Sequence, residues 1–218
     1  MKSEKIRRWG ASVPAAEEQF AIKRRVLIRE AGKAFRKDGF HNTSLDDVAR
    51  ALGVSKTALY RYVTDKNEIL YECHNMALEA GEIILAKAQA DHESCVEVIR
   101  AFVLEYVSFL NSNLGSYAVL AEPLTSLRDR ERKVLSARRR KFDAAMRDIV
   151  GKAIQAGEIA DKDPALIVAF FMGTINSLSR WFDPSGKISG DEVARVYAEL
   201  TVSALVGPAR RPGPSSKS

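Results

Sequence analysis

Two short amphipathic segments on either side of Gly53 constrain this chain more than any other feature of its sequence. Ser44-Leu45-Asp46-Asp47 reads as a helix start, because a hydroxyl three residues ahead of an acid can satisfy the first free backbone N–H groups. Leu45, Val48, Ala49 and Leu52 then recur at three- and four-residue spacing. Gly53 breaks that helix, and Ser55 stands at the N-cap of a second, expected over Lys56 to about Val63. The pair fits a helix-turn-helix whose core is Leu45, Val48, Ala49, Leu52, Val54, Leu59 and Val63. That packing leaves Lys56, Thr57, Tyr60 and Arg61 together on the outer face of the second helix. The face offers an ammonium, a hydroxyl, a phenol and a guanidinium, and no acid. Such groups bind phosphates and the edges of bases in a major groove. The helix start at Ser55 points a positive dipole end at a phosphate, and Lys66 approaches the backbone from the side.

Charge is distributed in the same sense. Residues 1–62 hold 14 Lys and Arg against 7 Asp and Glu, although the whole chain of 218 residues is only +6. The first quarter therefore carries the entire basic excess, the pattern of a polyanion-binding module joined to a domain with another task. Spacing alone leaves two readings, a DNA-binding head and a three-helix subdomain with a solvated basic face, since the shape also occurs without DNA.

The remaining pattern is helical throughout. Residues 1–16 show no period and are expected to form a mobile basic arm. A first helix is expected from about Glu17, ending at Gly39 with Phe40 folded back. Asp65 or Thr64 caps a helix running to about residue 90. Further periodic segments cover roughly 94–112, 116–126, 129–156, 164–182 and 189–206, and the tail 207–218, rich in Pro, Ser and Arg, is expected to be disordered. The chain reads as all-α with about nine helices: a head over 17–64 and a second domain over 65–206. The apolar stretch Leu166–Ile175 is too short for a bilayer span of about 20 residues. No apolar signal core follows Met1-Lys2-Ser3, so a cytoplasmic location without membrane association is expected.

The run Ala31-Gly32-Lys33-Ala34-Phe35-Arg36-Lys37-Asp38-Gly39-Phe40, followed by Thr43-Ser44-Leu45-Asp46-Asp47-Val48-Ala49, Gly53-Val54-Ser55-Lys56, Leu59-Tyr60-Arg61-Tyr62 and Lys66, resembles the TetR family of bacterial transcriptional regulators. The resemblance spans about residues 22–72. Thr57-Ala58 stands where Gly-Thr is frequent, and Val63 where Phe is usual. It implies that Thr43, Ser55, Thr57, Tyr60 and Lys66 occupy DNA-contact positions, with Ser44 beside the first; Lys56 and Arg61 join them on the facing argument. It also implies a homodimer reading a palindromic operator, with helices near 164–182 and 189–206 pairing across the twofold axis. Gly157-Glu158-Ile159, Asp163-Pro164 and the run Trp181 to Ser189 resemble the branch of the family that answers acyl-CoA thioesters in lipid and steroid catabolism. A small hydrophobic effector, of acyl-CoA type in that resemblance, is therefore expected, with Arg138, Arg139 and Trp181 as candidate contacts.

No enzyme is expected. The chain has no Ser-His-Asp order, paired-acid motif or Gly-rich phosphate loop, and no cofactor or metal is expected. Cys73-His74 and His92-x-x-Cys95 look like halves of a zinc site, but a helix between them holds them roughly 30 Å apart at about 1.5 Å per residue. Rival readings are a helical small-molecule enzyme or carrier whose basic head docks to an anionic partner, and a peripheral membrane binder; the lack of a lysine-rich amphipathic helix with aromatic anchors counts against the latter.

Overall fold

A computed structural model describes residues 16–112 and 122–206. Among these residues there are eight α-helices, one 3-10 turn and no strand. They are α1 (Ala16–Asp38), α2 (Leu45–Leu52), α3 (Lys56–Leu59), α4 (Lys66–Asp91), α5 (Cys95–Ser112), α6 (Asp129–Gln155), α7 (Pro164–Trp181) and α8 (Gly190–Val206), with the 3-10 turn at Leu124–Ser126. The fold is all-α, as the periodicity predicts. Of the expected helix over 116–126, residues 122–126 are described and hold only the 3-10 turn; of the expected arm at 1–16, Ala16 opens α1 and residues 1–15 lie outside the described residues, as does the tail at 207–218.

Local chemistry sets the helix ends in the first third of the chain. Gly39 takes φ 85° and donates its N–H to the Phe35 carbonyl at 3.0 Å, closing α1. Phe40 then meets the Phe35 ring edge-on at 5.1 Å. Ser44 and Asp47 form a reciprocal capping box: Asp47 N–H donates to Ser44 Oγ at 3.2 Å, and Ser44 N–H donates to Asp47 Oδ2 at 2.9 Å. Gly53 ends α2 at φ 65°, where a side chain would strain the backbone although nothing lies within 4 Å of an added Cβ. Past Leu59 the second helix tightens instead of running regularly to Val63: Arg61 and Tyr62 donate to carbonyls three residues back. Leu59 and Val63 are both buried, so the tighter winding keeps both in the core as the chain turns toward α4. Val54, expected in that core, is instead 42% exposed, because the turn after Gly53 leaves it on the rim of a groove beside Ile22 and Val26.

Two apolar cores result. The first gathers Ile28 and Phe35 from α1, Val48 from α2, Leu59, and Ile69 and Leu70 from α4. The second joins Phe102 of α5, Met146 and Val150 of α6, Phe171 and Ile175 of α7 and Ala194 of α8. Helix α4 belongs to both, contributing Cys73 and Ala77 to the first and Leu85 and Ala88 to the second. Arg24 of α1 fastens this helix to the head: its guanidinium donates to Glu68 at 2.7 Å, Glu72 at 2.9 Å and the Tyr62 carbonyl at 3.1 Å. Beneath it, the Cys73 thiol lies 3.7 Å from the Ile28 carbonyl, and burial pushes its pKa up to about 12. Farther along α1, Arg36 donates to the Phe182 carbonyl at the end of α7 at 2.5 Å. No helix among the described residues is long and apolar enough to cross a membrane.

The link after α6 has a specific task. Gly157 turns the chain at φ 71°, and the Glu158 carboxylate then caps α5. It accepts from Val96 N–H at 2.9 Å, Cys95 N–H at 3.3 Å and the Ser94 hydroxyl at 2.7 Å. These bonds, the Val96 amide first, hold its pKa below the usual carboxylate range. A depressed pKa means that the stabilisation is present above the unfolded-state value and is lost as pH falls through the folded-state value. Glu158→Gln should therefore lose about 1 kcal/mol in urea unfolding at neutral pH. The gap to the wild type should narrow below about pH 4; a gap that widens in acid would contradict the capping role.

Candidate nucleic-acid interface and internal cavity

The exposed face of α3 and the turn after it is built by its two buried anchors. Leu59 and Val63, 0% and 2% exposed, point inward and turn Lys56, Thr57, Tyr60 and Arg61 outward. Ser55 caps the helix by accepting from Ala58 N–H at 3.1 Å, which leaves its hydroxyl proton available to donate. Among the described residues, the side chains of Thr57, Tyr60 and Arg61 make no hydrogen bond within the fold, and Tyr60 is 47% exposed. The face is not free of acid, however. Asp46, from the start of α2, pairs with Lys56 at 2.8 Å and, with Tyr60 adding a smaller effect, raises the ammonium pKa.

Three sequence-predicted contacts face other duties. Thr43 is 2% exposed and its hydroxyl donates to the Gly39 carbonyl at 2.8 Å, so its side chain points into the fold and not toward a duplex. The Ser44 hydroxyl both accepts from Asp47 N–H and donates to Asp47 Oδ2 at 2.6 Å. Half-buried Lys66 donates to the carbonyls of Phe40 and His41 at 3.1 and 3.2 Å and sits 4.7 Å from the Phe40 ring centre. It thus ties the turn before α2 to the start of α4, and one of its three N–H groups remains for an outside partner. On the same turn, His41 Nε2 lies 3.3 Å from Glu122 Oε1.

A cavity of about 410 Å³ lies between α4, α5, α6 and α7. His74 and Gly81 of α4, Tyr106 of α5, Arg139 and Phe142 of α6 and Met172 of α7 line it. Gly81 sits beside two of the rings: an added Cβ would make ordinary contacts, 3.4 Å from Tyr106 and 3.6 Å from Phe142. Arg139, Asp143 and Arg147 recur every four residues along the α6 face of the cavity, and neither arginine enters an ion pair among the described residues. Arg138, one position away, turns elsewhere: it pairs with Glu82 at 2.5 Å and hydrogen-bonds Asn75, clamping α6 to α4. Trp181 is 49% exposed and stacks on Tyr197, outside the cavity lining. Of the three candidate effector contacts, the structure brings only Arg139 to the cavity.

The sequence does not single out His74 as a cavity residue. It is 5% exposed, and its Nε2 has no hydrogen-bond partner among the described residues. Burial, then the Arg139 charge, lower its pKa to about 3, while the nearby Glu122 backbone acts in the opposite sense. No group of three or more His, Cys, Asp or Glu residues among those described is placed to hold a metal ion. The charged stripe Arg139–Asp143–Arg147 is detectable as i, i+4 polar positions; the buried imidazole carries no such signal.

Comparison with known proteins follows this division of the molecule. Residues 27–73 match the family model described as bacterial regulatory proteins, tetR family. Residues 92–205 match that of the tetracyclin repressor-like C-terminal domain. The TetR family transcriptional regulator PfmR from Thermus thermophilus superposes with a TM-score of 0.73 at 31% identity, covering 84% of this chain and 99% of that one. The HTH-type transcriptional regulator YfiR of Bacillus subtilis (strain 168) is 27% identical over 205 residues, 88% of this chain and 98% of the relative. AibR, in a crystal structure with isovaleryl coenzyme A and operator DNA, shares the fold at a TM-score of 0.71 and 23% identity, covering 84% of this chain and 97% of that one.

The Lys66 contacts generate a stability prediction. Lys66→Met keeps the apolar stem and removes the ammonium, leaving two turn carbonyls without their donor. The expected loss is about 1–2 kcal/mol in thermal unfolding, with faster amide exchange confined to the segment around residues 40–43. Uniform exchange rates across the head would refute the tether.

Proposed function

The chain belongs to the TetR family of bacterial regulatory proteins, whose members are DNA-binding transcriptional regulators, and from that premise we propose a ligand-released repressor acting as a homodimer on a palindromic operator. The observation that carries the DNA reading is the outward face of α3 and its following turn, where Thr57, Tyr60 and Arg61 stand exposed and without hydrogen bonds in the fold. Thr57 and Tyr60 read bases; Ser55, Lys56, Arg61 and the remaining N–H of Lys66 hold phosphates, and Ser44 borders the contact. Lys56 must leave Asp46 to do so, an exchange between exposed partners that costs little. In this proposal the head is 17–64 and the effector and dimer domain 65–206, with α4 passing from one to the other. A bacterial regulator of this kind works in the cytoplasm, where its DNA is.

The dimer rests on α7 and α8. Leu166 and Phe170 on α7 are 69% and 51% exposed, and Val196 and Leu200 on α8 are 42% and 62% exposed. Gly173 adds an open spot on α7, with nothing within 4 Å of an added Cβ. Two such helix pairs make a four-helix interface about a twofold axis. Two α3 faces about 34–36 Å apart then fit successive major grooves. Effector in the cavity favours the dimer whose heads do not fit; release by about 100-fold needs roughly 2.7 kcal/mol of preference for that state. A hydrophobic or acyl-CoA-type effector suits the cavity size and its arginine rim, and the AibR fold offers a precedent. The alternative, a helical ligand-binding protein or enzyme whose basic head docks to an anionic partner, predicts ligand turnover without operator selection.

Selection of bound fragments from a genomic DNA pool identifies the operator, and gel shifts then test the face. Thr57→Ala and Tyr60→Ala should each lose about 1–3 kcal/mol of preference for operator over random DNA. An operator preference equal to the wild type in both would remove the assignment. For the interface, Phe170→Glu should convert the dimer to a folded monomer in sedimentation and reduce operator affinity at least as severely, because a single head reads only half a site. A Phe170→Glu protein that stays dimeric would place the interface elsewhere.

A further inference from the structure

The face that α3 turns outward carries an acid that the fold itself does not call for. Two aspartates stand in the first turn of α2, and their partners differ. Both oxygens of Asp47 are engaged: Oδ2 accepts from the backbone N–H and the hydroxyl of Ser44 at 2.9 and 2.6 Å, and Oδ1 accepts from Arg50 at 2.9 Å. Asp46 takes no part in that capping box. Among the described residues its carboxylate has Lys56 as its only partner, with the ammonium 2.8 Å from Oδ1 and 3.0 Å from Oδ2. The Asp46 and Lys56 side chains are 52% and 56% exposed, so the pair stands in solvent at the first residue of α3. An exposed pair of this kind adds little to stability. An acid in the first turn also suits the helix dipole, a service that Asp47 already performs. Toward a polyanion the same carboxylate is unfavourable, since it repels phosphates.

We propose that Asp46 is a specificity-determining residue of the DNA contact, accepting a hydrogen bond from the N4 amino group of one cytosine in each half-site. The inference rests on the outward face of α3 being the DNA face and adds what the acid on that face reads. When Lys56 transfers to a phosphate, the carboxylate beside it loses its cation and needs another donor. An ionised carboxylate can only accept hydrogen bonds. In the major groove the donors are the amino groups of cytosine and adenine, whereas guanine and thymine present acceptors. Adenine also sets its N7 lone pair next to the amino group, where it opposes the second carboxylate oxygen. Cytosine has a C–H at that place. It is therefore the base whose edge meets the charge without an opposing lone pair. An acceptor edge in the same position leaves the carboxylate unpaired and repelled, so Asp46 rejects wrong sequences as well as favouring the right one.

The test is a competition gel shift with the full-length protein and the operator recovered from the genomic pool, each base pair of a half-site being replaced in turn by the other three. In the wild type, one pair should favour cytosine by about five- to tenfold over the other bases, and Asp46→Ala should reduce that preference to within about twofold. The profile at the remaining pairs should not change. Asp46→Asn, whose amide donates as well as accepts, should move the favoured base at the same pair from cytosine toward adenine. N4-methylcytosine at that pair, which blocks the free amino proton, should weaken binding by the wild type and leave Asp46→Ala unaffected. Thermal melts establish that both variants fold. A base-pair profile of Asp46→Ala identical to the wild type overturns the proposal. So does an equal gain in affinity for every sequence, which would make Asp46 only a restraint on Lys56. A loss of preference spread over all pairs alike also overturns it, as the mark of a role in holding α2. Thr57→Ala and Tyr60→Ala separate this inference from the one beneath it. Altered base preferences in those two variants, with an unchanged profile in Asp46→Ala, refute the role of the acid and keep the DNA face. A wild-type protein that prefers no sequence refutes both.

Discussion

Helix α4 is a single rigid element shared by two cores, and the remainder of the molecule is arranged around that fact. Its first half packs Ile69, Leu70 and Cys73 among the head residues, and its second half packs Leu85 and Ala88 against α5 and α6. A helix of 26 residues is about 39 Å long at 1.5 Å per residue. Close packing at both ends ties its position to both cores, because a packed core resists gradual deformation. Arg24 with Glu68 and Glu72 secures the head to it; Arg138 with Glu82 secures α6 to it.

The segment at Glu122 gives this helix a second contact with the head. Its backbone lies beside His74 at the cavity, while its carboxylate lies 3.3 Å from His41, on the turn that precedes α2. Lys66 holds the same turn by two carbonyls. Glu122 thus stands between the cavity wall and the turn that precedes α2. The His41 pair is well exposed on one side and contributes little by itself. Its interest lies in where it joins the two halves.

How far the amino-acid order announces all this depends on the range of the interactions involved. The head is legible because its determinants are local: Ser44 with Asp47, Gly39 and Gly53 at positive φ, and Ser55 at a helix start all act within a few residues. Val54 departs from its expected place because its exposure is decided by how the turn meets α1, a contact between distant parts of the chain. The cationic run at 138–141 shows the same limit. Neighbouring helical positions differ by about 100° in direction, and only the packing of α6 against α4 decides that Arg138 meets Glu82 while Arg139 meets the cavity. Glu158 stands out in the sequence as part of a pattern, yet its work, capping a helix that begins more than 60 residues earlier, exists only in three dimensions.

The Cys73 thiol, sealed between α1 and α4, bears on the chemical resilience of the head. Only the thiolate reacts readily with peroxides or disulfides, and a pKa near 12 leaves almost none of it at neutral pH. Oxidants would have to reach a sulfur that is 2% exposed and still protonated. The packing of the head is thereby shielded from oxidants at this sulfur.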